Sequence, residues 1–115
     1  MKSRFPSYIN GVLQVCNAKE KSSGFAAVKN KIAVDDLEVV EKLAYGEMSK
    51  RNEDIEFAES RGKKLSLKVR TRLRDNITTN HYVLINNVLY NLWQIDYSTE
   101  KQEMYFYLEE ERKLL

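Results

Sequence analysis

Cysteine, proline, glycine and histidine are all scarce in this 115-residue chain, which has one cysteine, one proline, four glycines and one histidine. A single thiol, Cys16, cannot close an internal disulfide, so the fold must hold without covalent staples, as suits a reducing compartment. Its neighbours Val12, Leu13 and Val15 mark it as a small buried hydrophobe. His81, with no second histidine and no spare cysteine, cannot assemble an ordinary zinc site and reads as a turn residue at the start of a strand. The scattered glycines leave no phosphate-cradling loop. No stretch approaches the ~18 consecutive apolar residues of a membrane helix. Lys2 and Arg4 are followed by no apolar run, so no signal peptide is expected. An excess of one charge is lacking too: 19 Lys and Arg against 17 Asp and Glu leave +2. That falls short of the strong basic excess of a dedicated nucleic-acid binder. The acidic runs Glu53-Asp54-Glu56 and Glu109-Glu110-Glu111 sit beside Lys or Arg and read as solvated charge. No catalytic constellation, metal or cofactor emerges, and nothing argues for an enzyme.

What remains is 43% hydrophobic and 31% charged, the make-up of a soluble globular chain, here one domain over residues 1–115. Its last third reads as strands. Tyr82-Val83-Leu84-Ile85, the pair Asn86-Asn87, and Val88 to Tyr97 form a hairpin, since Asn tolerates the positive φ that a type I′ turn demands. Ser98 to Lys101 turns the chain into a third strand, Gln102 to Glu109. Setting Ile85 opposite Val88 and Tyr97 opposite Gln102 sorts the side chains onto two faces. Leu84, Leu89, Trp93, Ile95, Met104, Phe106 and Leu108 form the core face. Tyr90, Leu92, Tyr105 and Tyr107, with Val83 and Ile85, form a second face too rich in tyrosine to be simple core, and a candidate subunit interface.

Upstream, Leu65, Leu67, Val69, Thr71 and Leu73 alternate with Ser66, Lys68, Arg70, Arg72 and Arg74, a half-buried strand with a basic outer row. Tyrosines do not alternate with that row along the sequence, so it is expected to make an assembly contact instead of reading bases. Glu103, Glu109 and Glu111 are its candidate acidic partners on a neighbour. Asn52 as N-cap, Glu53 and Asp54 in the first turn, Arg61 in the last and Gly62 just beyond predict a short helix over about 53–61. Residues 37–48 fit a helix slightly better than a strand by periodicity. A first strand around Val12–Cys16 is followed by a long loop, about 17–36, of the kind that is mobile or functional. The segment 109–115, mostly charged, is expected to be a loosely packed tail.

The order of these features resembles the head-closure proteins of tailed bacteriophages, also called stoppers or head–tail connector proteins. Ser23-Gly24-Phe25 stands where that family has a turn in its first long loop. Lys42 to Met48 is similar to its strand of an aromatic, a small residue, Glu and an apolar residue. Ser49 to Ser60, with Glu56-Phe57-Ala58, resembles its short helical segment, and Val69 to Arg74 followed by Ile77-Thr78 its basic strand and exit. Thr79 departs from the family's proline, and Asn86-Asn87 from its hairpin glycines. The resemblance implies that 37–48 is strand and that the fold is mainly β, a small antiparallel β-barrel or sandwich with one short helix and long loops. It implies a ring of identical subunits below the portal or adaptor protein, in the virion neck, assembled in the bacterial cytoplasm. Such a ring retains packaged double-stranded DNA without sequence-specific readout and docks a tail-completion or terminator protein. Ser23, Gly24, Phe25, Glu53, Ile55 and Phe57 are then candidates for loops that dock or close the channel. A small β-barrel binding single-stranded nucleic acid is the alternative, as is another tail-completion protein.

Overall fold

The computed structural model describes residues 8–18 and 37–113. Its elements are β1 (Gly11–Ala18), β2 (Leu37–Met48), α1 (Asn52–Ser60), β3 (Leu67–Arg72), β4 (Tyr82–Ile85), β5 (Val88–Ser98) and β6 (Glu103–Lys113). Every strand pair is antiparallel, and the order β1-β2-β3-β6-β5-β4 closes on itself through β4 and β1. The chain is therefore mainly β: a small antiparallel barrel with one short helix. Residues 37–48 are strand, as the resemblance implied and against the periodicity. Val39 and Val40 supply the β-branched character, and pairing with both β1 and β3 overrides the weak helical pattern.

Inside the barrel, Leu13, Val15, Leu43, Tyr45, Val69, Val83, Ile85, Leu92, Met104, Phe106 and Leu108 form one cluster, joined by Ile77 from the β3–β4 connection. Two smaller clusters lie on the outside: Cys16 with Leu37 and Leu89, and Ala58 with Leu65 and Tyr107 beneath the helix. Cys16 is fully buried, and burial pushes its thiol pKa up.

The first hairpin has the expected register, with Ile85 opposite Val88 and both turn asparagines at positive φ. The second differs. Ser98 pairs with Glu103 and Tyr97 with Met104, and Gln102 takes the positive φ that lets the turn close. That two-residue slip leaves the parity of the faces unchanged. The larger correction comes from a bulge: Leu92 pairs with Leu108 and Gln94 with Tyr107, so Trp93 is an extra residue on β5. One inserted residue exchanges the faces on either side of it. Met104, Phe106, Leu108 and Ile95 keep their expected inward places. Trp93 turns outward under the helix, Leu84 and Leu89 join the outer cluster, and Val83, Ile85 and Leu92 go inside.

The helix begins one residue earlier than expected. Arg51 is its N-cap, and the Arg51 backbone N–H donates to Asp54 Oδ2 at 3.2 Å. It ends with Gly62 at φ 70°, where Gly62 N–H reaches Glu59 O at 3.0 Å and Lys63 N–H reaches Ala58 O at 2.8 Å, a Schellman arrangement. Of the segment expected to be a loosely packed tail, Glu109 to Lys113 belong to β6 and pair with β5, Val88 opposite Lys113, with Glu110, Glu111 and Lys113 exposed. Leu114 and Leu115 lie outside the described residues, as does 19–36, which holds nearly all of the expected long loop.

Candidate functional site: a tyrosine-lined groove

The pairing of β2, β3, β6 and β5 dictates which outward side chains lie side by side. Met48 is opposite Lys68, Lys68 opposite Tyr107, and Tyr107 opposite Gln94. One step along, Gly46, Arg70, Tyr105 and Asp96 form a second row, and beyond it Arg72 faces Glu103. An open groove of about 790 Å³ crosses this face, lined by Glu47, Met48, Ser49, Arg51, Lys68, Arg70, Asp96, Tyr97, Tyr105 and Tyr107.

Its floor is rigid. The carboxylate of Asp54, on the helix, accepts from Lys68 Nζ at 3.1 Å and from the Arg51 guanidinium at 3.3 Å, with the Asp54 and Lys68 side chains only 5% and 7% exposed. Burial alone would raise the Asp54 pKa, but the hydrogen bonds from Arg51 and Lys68 outweigh it and hold the group below the ordinary carboxylate value. Lys68 also lies 4.8 Å from the Tyr107 ring centre. Phe57, Trp93 and Tyr107 form an aromatic triangle with centroids 5.5–6.2 Å apart. The Tyr107 hydroxyl donates to Asp96 Oδ2 at 2.9 Å, and burial together with that bond pushes its pKa well above the tyrosine range. Tyr105 is raised likewise, by burial and by its bond to Glu103. These phenols stay neutral donors.

The four candidate interface residues divide. Leu92 is buried inside and Tyr90 packs against the same core, whereas Tyr105 and Tyr107 face outward. The basic row divides as well: Lys68 is sealed against Asp54, Arg70 lines the groove, Arg72 is exposed, and Arg74, beyond the strand, pairs with Glu41 at 3.3 Å. Tyrosines do interleave with the row, contrary to the reading along the sequence, because the register sets Tyr105 beside Arg70 and Tyr107 beside Lys68. Of the expected acidic partners, Glu103 is buried in its own subunit, Glu109 accepts from Lys64 N–H at 3.1 Å, and Glu111 accepts from Asn91 at 2.8 Å. Glu53 and Ile55 are exposed on α1, Phe57 is half-buried beneath it, and Ser23, Gly24 and Phe25 lie outside the described residues. His81 occupies its turn, Nδ1 accepting from Thr78 N–H at 3.0 Å.

The reading along the sequence missed Glu47, Met48, Ser49, Arg51, Asp96 and Tyr97 as groove residues. Asp96 and Tyr97 carry a usable signal, as polar and aromatic neighbours just before a turn; Arg51 carries none. No protein-family model matches the chain, and no curated protein matches its sequence.

Proposed function

We propose that the chain is a head-closure subunit of a tailed bacteriophage, assembling as a ring in the virion neck. There it retains packaged double-stranded DNA and presents a docking surface to the tail. The observation that carries this reading is the groove. Each described strand of the closed barrel has a neighbour on both sides over part of its length, which favours association through side-chain surfaces. The groove gathers Tyr97, Tyr105, Tyr107, Met48, Arg51 and Arg70, residue types enriched at protein interfaces. Tyr97, 56% exposed at its margin, supplies an aromatic anchor. The portal or adaptor and the tail-completion protein are the partners this function requires, and the reading includes no catalytic step.

Single-stranded nucleic-acid binding gains one point from the pairing of Arg70 with Tyr105, a guanidinium beside a stacking ring. Two features weigh against it: Lys68 is committed to Asp54, and Glu47 and Asp96 set negative charge into the groove. The test is the double reversal Arg70→Glu/Arg72→Glu, with folding, neck assembly and binding to single-stranded DNA read separately. Loss of assembly with folding intact supports the ring contact. A salt-sensitive DNA affinity in the wild type, abolished by the reversal, would favour the nucleic-acid reading.

A further inference from the structure

Tyr8, Ile9 and Asn10 precede β1 and lie across the outside of the barrel. Asn10 N–H donates to Tyr45 O at 3.1 Å, and Asn10 Oδ1 accepts from Glu47 N–H at 2.8 Å, with the buried Gly46 between those two residues. Asn10 is bonded to Gly11, which itself pairs with Tyr45, so β1 anchors this end of the segment. The other end reaches β6, where the Tyr8 hydroxyl donates to Glu103 Oε2 at 2.7 Å. Tyr105 donates to the other carboxylate oxygen at 2.8 Å. Glu103 is 5% exposed, so its carboxylate needs such donors to be tolerated.

Because β3 lies between β2 and β6 in the sheet, the segment has to cross it. On β3, Arg70 is opposite Gly46 and Arg72 is opposite Glu103, so the crossing passes these two outward arginines. Burial and the Glu103 bond push the Tyr8 hydroxyl up to about 12, and Arg72 and Arg70 pull it the other way, which sets both guanidiniums near it. Arg70 and Tyr105, neighbours on the ladder, line the groove, so the segment borders the groove on that side. Between its two fastenings, Ile9 is 83% exposed. No apolar burial holds the middle down, which places Tyr8 and Ile9 among the easily opened parts of the fold.

We infer that Tyr8–Asn10 is a lid at the Arg70 end of the groove, with Asn10 as its hinge and the bond from Tyr8 to Glu103 as its latch. The inference rests on the reading of the groove as a docking surface and adds its regulation. Opening leaves both Asn10 contacts in place, since β1 keeps them. Nor does it strand the buried carboxylate, because Tyr105 still donates to Glu103 and Arg72 stands directly across the ladder. A docking partner that engages Arg70 has to displace the segment, so its apparent affinity falls with the fraction of subunits whose lid is open. The closed lid is therefore inhibitory, and docking lifts it.

The test compares the full-length wild type with Tyr8→Phe, which loses only the hydroxyl, and Tyr8→Ala, which loses the ring as well. The probe is an arginine-specific dicarbonyl reagent, with the modification rate of each arginine followed by mass spectrometry. In Tyr8→Phe, Arg70 should react about tenfold faster or more, the factor set by losing a hydrogen bond to a charged group. In Tyr8→Ala it should react at least as fast. Arg74, held by Glu41, should keep its wild-type rate. An unchanged Arg70 rate in both variants overturns the lid, and so does a matching rise at Arg74, which would mean general loosening. Competition between Tyr8→Phe and wild type for places in neck particles reads the consequence, and the variant should be favoured. Parity or a deficit there, with Arg70 opened, overturns the inhibitory role. Faster Arg70 modification in variants of a chain that enters no neck particle upholds the lid and overturns the ring reading instead.

Discussion

Asp54→Ala is expected to be the most costly single polar change in this protein. The substitution removes the carboxylate that takes Lys68 Nζ at 3.1 Å and the Arg51 backbone N–H at 3.2 Å. It leaves the Lys68 ammonium, 7% exposed, beneath the helix with no carboxylate to meet it. Breaking a buried pair from one side costs about 3–5 kcal/mol because the other charge stays buried. At roughly 4 °C per kcal/mol for a domain this size, the melting temperature should fall by about 12–20 °C. Replacing both partners, Asp54→Leu with Lys68→Met, should recover most of that loss, since a packed apolar pair removes the uncompensated charge. The pair also sets an acid response. Its carboxyl pKa lies below the unfolded value of 3.8. Its contribution is therefore complete above that value and lost as pH falls through the lower folded one. Urea titrations of wild type, single and double variants, at neutral and acid pH, provide the assay. A single variant within about 1 kcal/mol of wild type, or a double variant as unstable as the single, would refute the reasoning.

Three further outcomes follow from the geometry. Gly11→Ala should cost about 1–3 kcal/mol in urea unfolding, because φ is 141° there and the added Cβ would meet the Tyr45 ring at 3.4 Å; a neutral result would mean that β1 begins differently. Trp93→Phe should cost less than about 1.5 kcal/mol, since the buried indole N–H has no hydrogen-bond partner among the described residues, whereas Trp93→Ala should approach 3 kcal/mol by emptying the aromatic triangle; equal costs would reveal a partner for the N–H. Tyr8, Tyr45, Tyr90, Tyr105 and Tyr107 are all raised above the unfolded value of 10.0. The fold holds these protons more tightly than the unfolded chain, so stability is intact below pH 10.0 and declines as pH rises through the folded values. Tyrosinate absorbance should therefore rise together with loss of near-ultraviolet circular dichroism. Smooth ionisation near pH 10.0 with the dichroism unchanged would contradict the buried hydroxyls.

What was legible in the sequence was local chemistry. Asn86-Asn87 announced the first hairpin and its register, and Gly62 announced the helix end. The alternation of Leu67, Val69 and Thr71 with Lys68, Arg70 and Arg72 announced the inner and outer rows of β3. The bulge was not legible, because nothing in Leu92-Trp93-Gln94 distinguishes an extra residue from a paired one. That single omission accounts for the misplaced Leu84, Leu89, Trp93 and Leu92. The groove was hidden for a related reason. Arg70 and Tyr105 are separated by most of the second half of the chain, and only strand order makes them neighbours. Residues 37–48 show the converse, a sequence pattern without a decision that two flanking strands resolve.

The extra residue in β5 has a consequence for how the barrel finds its own alignment. Trp93 reaches the outer surface only because the bulge is there, and once outside it becomes part of the seat for Phe57. A β5–β6 ladder zipped without the bulge would turn the indole inward and leave the helix half its platform. Asp54 would then be poorly placed over Lys68. The helix therefore rests on an indole that the bulged alignment places outside the barrel, which couples the seat of the helix to the alignment of β5 on β6. Deleting Trp93 should keep Leu92 opposite Leu108 and Gln94 opposite Tyr107, so its main cost is the lost contact of the indole with Phe57 and Tyr107.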